Sequence, residues 1–223
     1  MQSFKTYIEE GINDSAIFKA IFLAGGPGSG KSFIVGKTAL QTMSYKLINS
    51  DPVFERELEK AGLDKGNPQD IFSEPGQSAR AKAKALTNKQ MALAVQGRLG
   101  LVIDGTGKDA DKIKSQNVKL KKIGYETGLI FVNTDLETAL QRNRDRDRSL
   151  PDAVVEKMWK QVQSNLGAFQ SIFGNKMFII DNSNGSDYQA QVRKVYNQIR
   201  EWSKKDPRMP QAKAWITAKK PKA

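Results

Sequence analysis

The feature that most constrains this chain is Gly25-Gly26-Pro27-Gly28-Ser29-Gly30-Lys31-Ser32, which satisfies G-x-x-x-x-G-K-[ST] at every fixed position. It lies between an apolar run, Ala20-Ile21-Phe22-Leu23-Ala24, and a helical pattern in which Ile34, Val35, Ala39, Leu40 and Met43 are apolar. Strand, glycine loop and helix N-terminus, in that order, form the context in which this motif binds phosphate. Glycines open backbone angles closed to other residues and let the chain approach a ligand closely. Successive N–H groups then make a concave nest for phosphate oxygens. The helix adds free N–H groups and the positive end of its dipole. Lys31 is expected to reach the terminal phosphates of a nucleotide, and Ser32 to hold a magnesium ion that bridges them. A plain turn between strand and helix would leave four glycines and the Lys-Ser pair unexplained.

A chain of 223 residues accommodates one α/β domain with a proper core and a short appendage. We read residues 1–203 as the folded domain and 204–223 as a basic C-terminal tail. The chain has no cysteine, which excludes disulfides, thiolate catalysis and zinc–thiolate sites, and fits a reducing, cytoplasmic setting. It has no histidine, so acid–base and metal chemistry must use carboxylates, lysines, hydroxyls or phosphate. No apolar run approaches a membrane span, and the acid-bearing N-terminus lacks the apolar region of a signal peptide. The net charge of +12 suits a polyanionic partner. Residues 203–223 carry seven basic residues and one acid, so half of that charge sits in the tail.

Periodicity predicts the remaining elements. Residues 3–12 read as an amphipathic helix. Tyr45-Lys46-Leu47-Ile48 is a second strand that stops just before Asp51. Residues 53–63 read as helix, 64–76 as loop, and 77–98 as a long helix with Ala83, Leu86, Ala94 and Val95 inward. Leu101-Val102-Ile103, residues 128–132 and residues 177–180 are three further strands, followed by Asp104, Asn133 and Asp181. Helices are expected over 109–123, from Asp135 into the arginine run, and over 186–203. Another, opened by Pro151, carries one inward stripe of Val155, Met158, Val162, Leu166, Phe169 and Phe173. Strand and helix alternate five times, which predicts a three-layer α/β fold: a five-stranded parallel sheet with helices on both faces. The tail, with Pro207, Pro210 and Pro221, is expected on the surface, with Trp215 and Ile216 as anchors.

Ligands of open α/β sheets bind beyond the carboxyl ends of the strands. That rule selects the glycine loop, Asp51, Asp104 and the loops after Val132 and Ile180. Asp51 is a candidate general base, because a carboxylate at the mouth of the site can accept a hydroxyl proton. Capping the following helix, with Pro52 in its first turn, is a competing and compatible role. Asp104 is placed to meet Ser32 or a magnesium-bound water; a simple Asp-Gly turn is its alternative. The run from Arg142 to Arg148 is read as a lid over about 141–150. Arg142 and Arg146, four apart, are expected on one helix face, where two guanidinium groups clamp negative charge. Asp145 and Asp147 would orient the other arginines, and a solvated, self-paired face is the competing reading. Arg80, Lys82, Lys84 and the lysines of 108–122 offer a basic surface to an acceptor.

Together these pieces resemble the small P-loop kinases that include phage polynucleotide 5′-kinase domains and the zeta-toxin kinases. The resemblance rests on GGPGSGKS, INSD, VIDGTG and QRNRDRDRSLP and covers residues 18–183. It implies ATP with magnesium as donor, and transfer of the γ-phosphate to a hydroxyl of a polynucleotide 5′ end, an amino-sugar nucleotide or a nucleotide. By the match, Lys31 and Ser32 hold donor phosphates and metal, Asp51 activates the acceptor hydroxyl, and Arg142 and Arg146 act from the lid. A reading of a different class stands beside it: a nucleotide-controlled protein whose basic tail grips nucleic acid.

Overall fold

The computed structural model describes residues 14–38, 40–146 and 149–219. The helix expected over 3–12 lies outside them, as do Ala39, Asp147 and Arg148. Five strands, β1 (Lys19–Ala24), β2 (Lys46–Ile48), β3 (Leu101–Ile103), β4 (Glu126–Asn133) and β5 (Met177–Asp181), form one sheet in the order β2-β3-β1-β4-β5. Every pairing is parallel. Strand β1 is central and buried along its whole length, which is why it reads as a nearly unbroken apolar run. Its side chains alternate between two cores: Ala20, Phe22 and Ala24 enter one, Ile21 and Leu23 the other.

Helices cover both faces, as expected. On one face lie α1 (Lys31–Lys37) and α9 (Tyr188–Ser203), which bring Ile34, Val35, Val192, Val195, Ile199 and Trp202 onto the sheet. A 3₁₀ turn, Leu40–Met43, completes the apolar pattern that α1 is too short to carry. The other face is covered by α4 (Glu74–Gln96), α5 (Ala110–Lys122), α7 (Asp152–Ser164), α8 (Leu166–Phe173) and α10 (Pro210–Lys219). Helices α2 (Asp51–Lys60) and α3 (Pro68–Phe72) pack with the first half of α4 around Phe54, Leu58, Ile71, Ala79 and Ala83, a satellite core beyond β2. Helix α6 (Leu136–Arg144) follows β4. No helix of the described residues is long and apolar enough to cross a membrane.

Four local expectations are corrected. Residues 64–76 are not a loop: the Asn67 side chain caps α3 and the Ser73 side chain caps α4, each ahead of a proline in the first turn. Residues 152–173 form two helices that meet at Asn165, whose side-chain amide donates to the Gly107 carbonyl at 2.9 Å. The apolar stripe runs across that break, so periodicity could not reveal it. Leu86 faces outward and is 49% exposed; Ala79, Ala83 and Thr87 supply the buried face of α4 instead. Finally, residues 210–219 of the expected tail are helical: α10 lies at the surface as expected, with most of its residues exposed, but Ala212 is fully buried and a Cβ on Gly124 would lie 2.7 Å from its backbone nitrogen. Trp215, an expected anchor, packs edge-on against Phe18 at 5.6 Å, and Ile216 packs on the same core.

The polypeptide leading into α10 is fastened by Glu126, at the start of β4. One oxygen accepts from the Lys19 ammonium at 2.6 Å and the Trp202 indole at 3.0 Å; the other accepts from the Arg208 backbone at 3.0 Å. Lys19 is fully buried, so burial pushes its ammonium pKa down against the pull of Glu126. Burial raises the Glu126 pKa, but the bonds from Lys19, Arg208 and Trp202 outweigh it and leave the carboxyl below its ordinary value. A carboxyl depressed by folding contributes stability above its unfolded pKa and loses it as pH falls through its folded pKa. Glu126→Gln, which strands a buried charge, should cost about 3 kcal/mol. In thermal unfolding of both proteins, the gap should be widest near neutrality and close below about pH 4. A gap independent of pH would contradict this account.

Candidate active site

The phosphate-type loop leaves the carboxyl end of β1 and is shaped by contacts from outside. Gly28 (φ +73°) and Gly30 (φ +79°) are in left-handed backbone, the region glycine tolerates best. A Cβ on Gly28 would come 2.2 Å from the Ala139 carbonyl oxygen of α6, and one on Gly30 would come 2.4 Å from the Asn182 amide nitrogen. The Ser29 carbonyl accepts from Asn182 Nδ2 at 2.9 Å; the Thr134 hydroxyl lies 3.3 Å from it, and its shorter contact, 2.6 Å, is with the Asn133 carbonyl. The Thr134 carbonyl in turn accepts from the Trp159 indole at 2.7 Å. The Gly25 amide is bonded to the Thr106 carbonyl at 3.0 Å, which ties the loop to the segment after β3.

Inside the loop, two features suit an anion. Ser29 is 3% exposed and its Oγ is buried without a hydrogen-bond partner, a cost that an incoming acceptor oxygen would remove. Helix α1 starts at Gly30 with no side-chain cap on its first amides. Lys31 turns back on the loop, its ammonium donating to the Gly25 carbonyl at 2.7 Å and to Gly26 at 3.4 Å. Its pKa is lowered by burial, opposed by Asp104 and then Asp51, and lowered further by Arg146. Those three expected site residues therefore converge electrostatically on Lys31.

Asp104, just past β3, is mostly buried, and burial lifts its pKa; Lys31 opposes the rise and Asp51 adds to it. One Asp104 oxygen accepts from Asn49 Nδ2 at 2.9 Å, while Asn49 Oδ1 accepts from the Asp51 amide at 2.8 Å. Asn49 thus fixes the two carboxylate-bearing turns to each other. The cap of α2 is Ser50, and Asp51 stands within the first turn beside Pro52. Among the described residues the Asp51 carboxylate accepts no hydrogen bond, and it is solvent-exposed. Ser32 is exposed in the first turn of α1. Pro27 and Gly28 form the turn at the tip of the loop.

The arginine run departs from expectation. Helix α6 ends at Arg144, so Arg142 and Arg146 do not share a helix face. The helix stops because the Asn143 side chain donates to the Leu150 carbonyl at 2.7 Å and accepts from the Leu150 amide at 3.0 Å. Arg142 donates to the Asn182 carbonyl at 2.7 Å and to Asn184 Oδ1 at 3.2 Å, docking the lid on the loop after β5. Arg144 pairs with Asp152, and Asp145 with Gln141. Arg80, expected on a basic surface for an acceptor, is stacked 4.2 Å from the Phe54 ring centroid of the satellite core. Sequence reasoning missed Asn49, Thr134, Asn143, Trp159 and Asn182. The strand-end rule selects the loops that hold Thr134 and Asn182, the Asn-Ser-Asp-Pro turn holds Asn49 and the arginine run holds Asn143, but no role is legible for them in the sequence; Trp159 acts through a contact distant in sequence.

A five-stranded all-parallel sheet with a glycine loop on its central strand is shared with P-loop kinases. Similar solved structures include the PezAT toxin–antitoxin system of Streptococcus pneumoniae, 18% identical over 90% of this chain and 94% of that one, TM-score 0.55. The complex of AvrRxo1-ORF1 and -ORF2 with ATP is 16% identical over 80% of this chain, TM-score 0.56, and the Pnkp1/Rnl/Hen1 RNA repair complex 17% over 68%, TM-score 0.53. The chain spans 62% and 46% of the length of these last two. The family model described as zeta toxin matches residues 9–193, and the chain belongs to that family. No protein of curated function matches it.

Gly28→Ala puts a methyl group into the α6 backbone at a left-handed position and should weaken binding of a fluorescent ATP analogue about tenfold or more. Gly36→Ala, where a Cβ meets nothing within 4 Å, is the matched control. Equal affinities for the two variants would contradict the loop geometry.

Proposed function

We propose that the chain is a zeta-toxin-like kinase that moves the γ-phosphate of ATP to a hydroxyl of a nucleotide-like small molecule. The observation that carries this reading is the Asn49 link, which holds Asp51 and Asp104 together beside Lys31. The orphaned Ser29 hydroxyl and the glycine positions that a Cβ would fill support a triphosphate in the loop. Phosphate oxygens would draw the Lys31 ammonium off the Gly25 and Gly26 carbonyls. The acceptor hydroxyl gives its proton to Asp51, and its oxygen bonds the γ-phosphorus. The bond from that phosphorus to the β–γ bridging oxygen breaks, and ADP leaves with the electron pair. Arg142 and Arg146 would act on the transferring group from the lid side.

Ser32 and Asp104 are the residues that would hold magnesium. A hydroxyl and a carboxylate are hard oxygen donors, and Mg²⁺ takes its other positions from phosphates and water. Among the described residues no group of three carboxylates offers it a separate site. When bound, the ion neutralises charge on the phosphates.

The acceptor is assigned to a recess of about 200 Å³ whose lining includes Asp104, Thr106, Lys108, Lys112 and Gln116. That is below the roughly 300–1,000 Å³ of drug-sized sites, so it suits one ring better than a strand. Its lining sets Lys108 and Lys112 beside Asp104 and Asp109, and the amino-sugar nucleotide that the zeta-toxin resemblance implies would place only its sugar ring there. The test is transfer from labelled ATP to sugar nucleotides, mononucleotides, nucleosides and 5′-hydroxyl oligonucleotides, with the small phosphorylated acceptors expected to be labelled. Asp51→Asn should keep ATP affinity and lower transfer by about 10²–10⁴-fold, and Lys31→Ala should lose ATP affinity. Full turnover by Asp51→Asn would remove the base assignment. Labelling confined to oligonucleotides would replace the acceptor class.

A further inference from the structure

A second ligand surface lies outside the cleft. Between the far end of α1 and the first turns of α9 runs a groove of about 490 Å³, walled by Lys37, Tyr188, Gln189, Val192, Arg193 and Tyr196. Tyr188, Val192 and Tyr196 recur every four residues, so they share one face of α9, with the two rings about 12 Å apart along its axis. Both tyrosines are half-buried, which holds their rings in place. Phe33 extends the aromatic row: it is 47% exposed and meets Tyr188 edge-on at 5.6 Å. Cations interleave with the rings. Lys37 lies 5.4 Å from the Phe33 centroid and Arg200 5.7 Å from that of Tyr196, and Arg193 also lines the groove. No carboxylate is among the groove's lining residues. The neighbouring Glu201 is engaged by Arg200 and Lys204.

We propose that this groove binds single-stranded nucleic acid. An apolar protein partner would bury Lys37 and Arg193 without counter-charge, which is costly. A duplex satisfies the cations but keeps its base faces stacked away from the rings. A single strand supplies both, phosphates for the cations and unstacked bases for the tyrosines, and does so without sequence preference. The groove's own lining, Lys37 and one face of α9, includes no residue of the phosphate loop, and Phe33, which follows Ser32, stands where the two surfaces meet. Of the basic segment that the sequence offered for this role, residues 210–219 form α10, which packs on the core through Ala212, Trp215 and Ile216.

The test is fluorescence anisotropy with labelled dT12 on the full chain. The wild type should bind, more weakly as salt rises, and Tyr196→Ala should weaken binding about five- to hundredfold, the loss of one stacked base. Tyr196→Phe keeps the ring and should bind like the wild type, which separates stacking from a folding defect. Arg193→Ala should lower affinity and flatten the salt dependence. Lys89→Ala, an exposed position on α4 across the sheet, should change nothing. Saturating ATP should not displace the oligonucleotide. No binding by the wild type, equal binding of the dA12·dT12 duplex, an equal loss at Lys89, or displacement by ATP would each overturn the proposal.

Discussion

The outward grip on the Ser29 carbonyl is the interaction on which the site depends. A loop that is to receive phosphate must turn its carbonyls away and its amides inward, and isolated glycines have no preference for doing so. Here Asn182, from the loop after β5, donates to that oxygen, and the Thr134 hydroxyl, from the loop after β4, lies against it at 3.3 Å while its shorter bond goes to the Asn133 carbonyl. Trp159 on α7 holds Thr134 in turn. Three segments from separate parts of the chain thus decide which way a single peptide faces. Gly28 and Gly30 are needed because the same segments press so close that a methyl group would not fit.

The second constraint is electrostatic. Lys31, Asp51 and Asp104 are brought together at the carboxyl ends of three neighbouring strands, and burial works against the charge of two of them. Lys31 finds partners in carbonyls of its own loop, and Asp104 in Asn49. On the proposed reading, a phosphate and a metal ion would replace these partners. Far below, at the amino end of the sheet, Glu126 meets the buried Lys19 charge directly and is also bonded to the Trp202 indole and the Arg208 amide. A buried charge that serves stability thus stands against one that, on that reading, would serve chemistry.

The strands were legible because buried parallel strands read as short apolar runs, and Leu101-Val102-Ile103 could be little else. The glycine loop was legible because its chemistry is contiguous. Breaks that depend on a single side chain were not. Asn165 divides α7 from α8 without disturbing the apolar period, and Asn143 ends α6 two residues before Arg146 by bonding both backbone groups of Leu150. The proline-rich look of residues 207–210 concealed α10, which packs through Ala212 against Gly124 and through the expected anchors Trp215 and Ile216. The loop that holds Asn182 was marked by its place at a strand end, but its bond to Ser29, like the Trp159 contact, exists only in the folded chain.

A crystal structure with a non-hydrolysable ATP analogue and magnesium tests the central claim most directly. The account predicts its phosphates within the Gly25–Ser32 loop, the Ser29 hydroxyl bonded to one of them, and the Lys31 ammonium moved from the Gly25 carbonyl to the terminal phosphates. Nucleotide bound elsewhere, or Lys31 still on Gly25 with the loop filled, would contradict it.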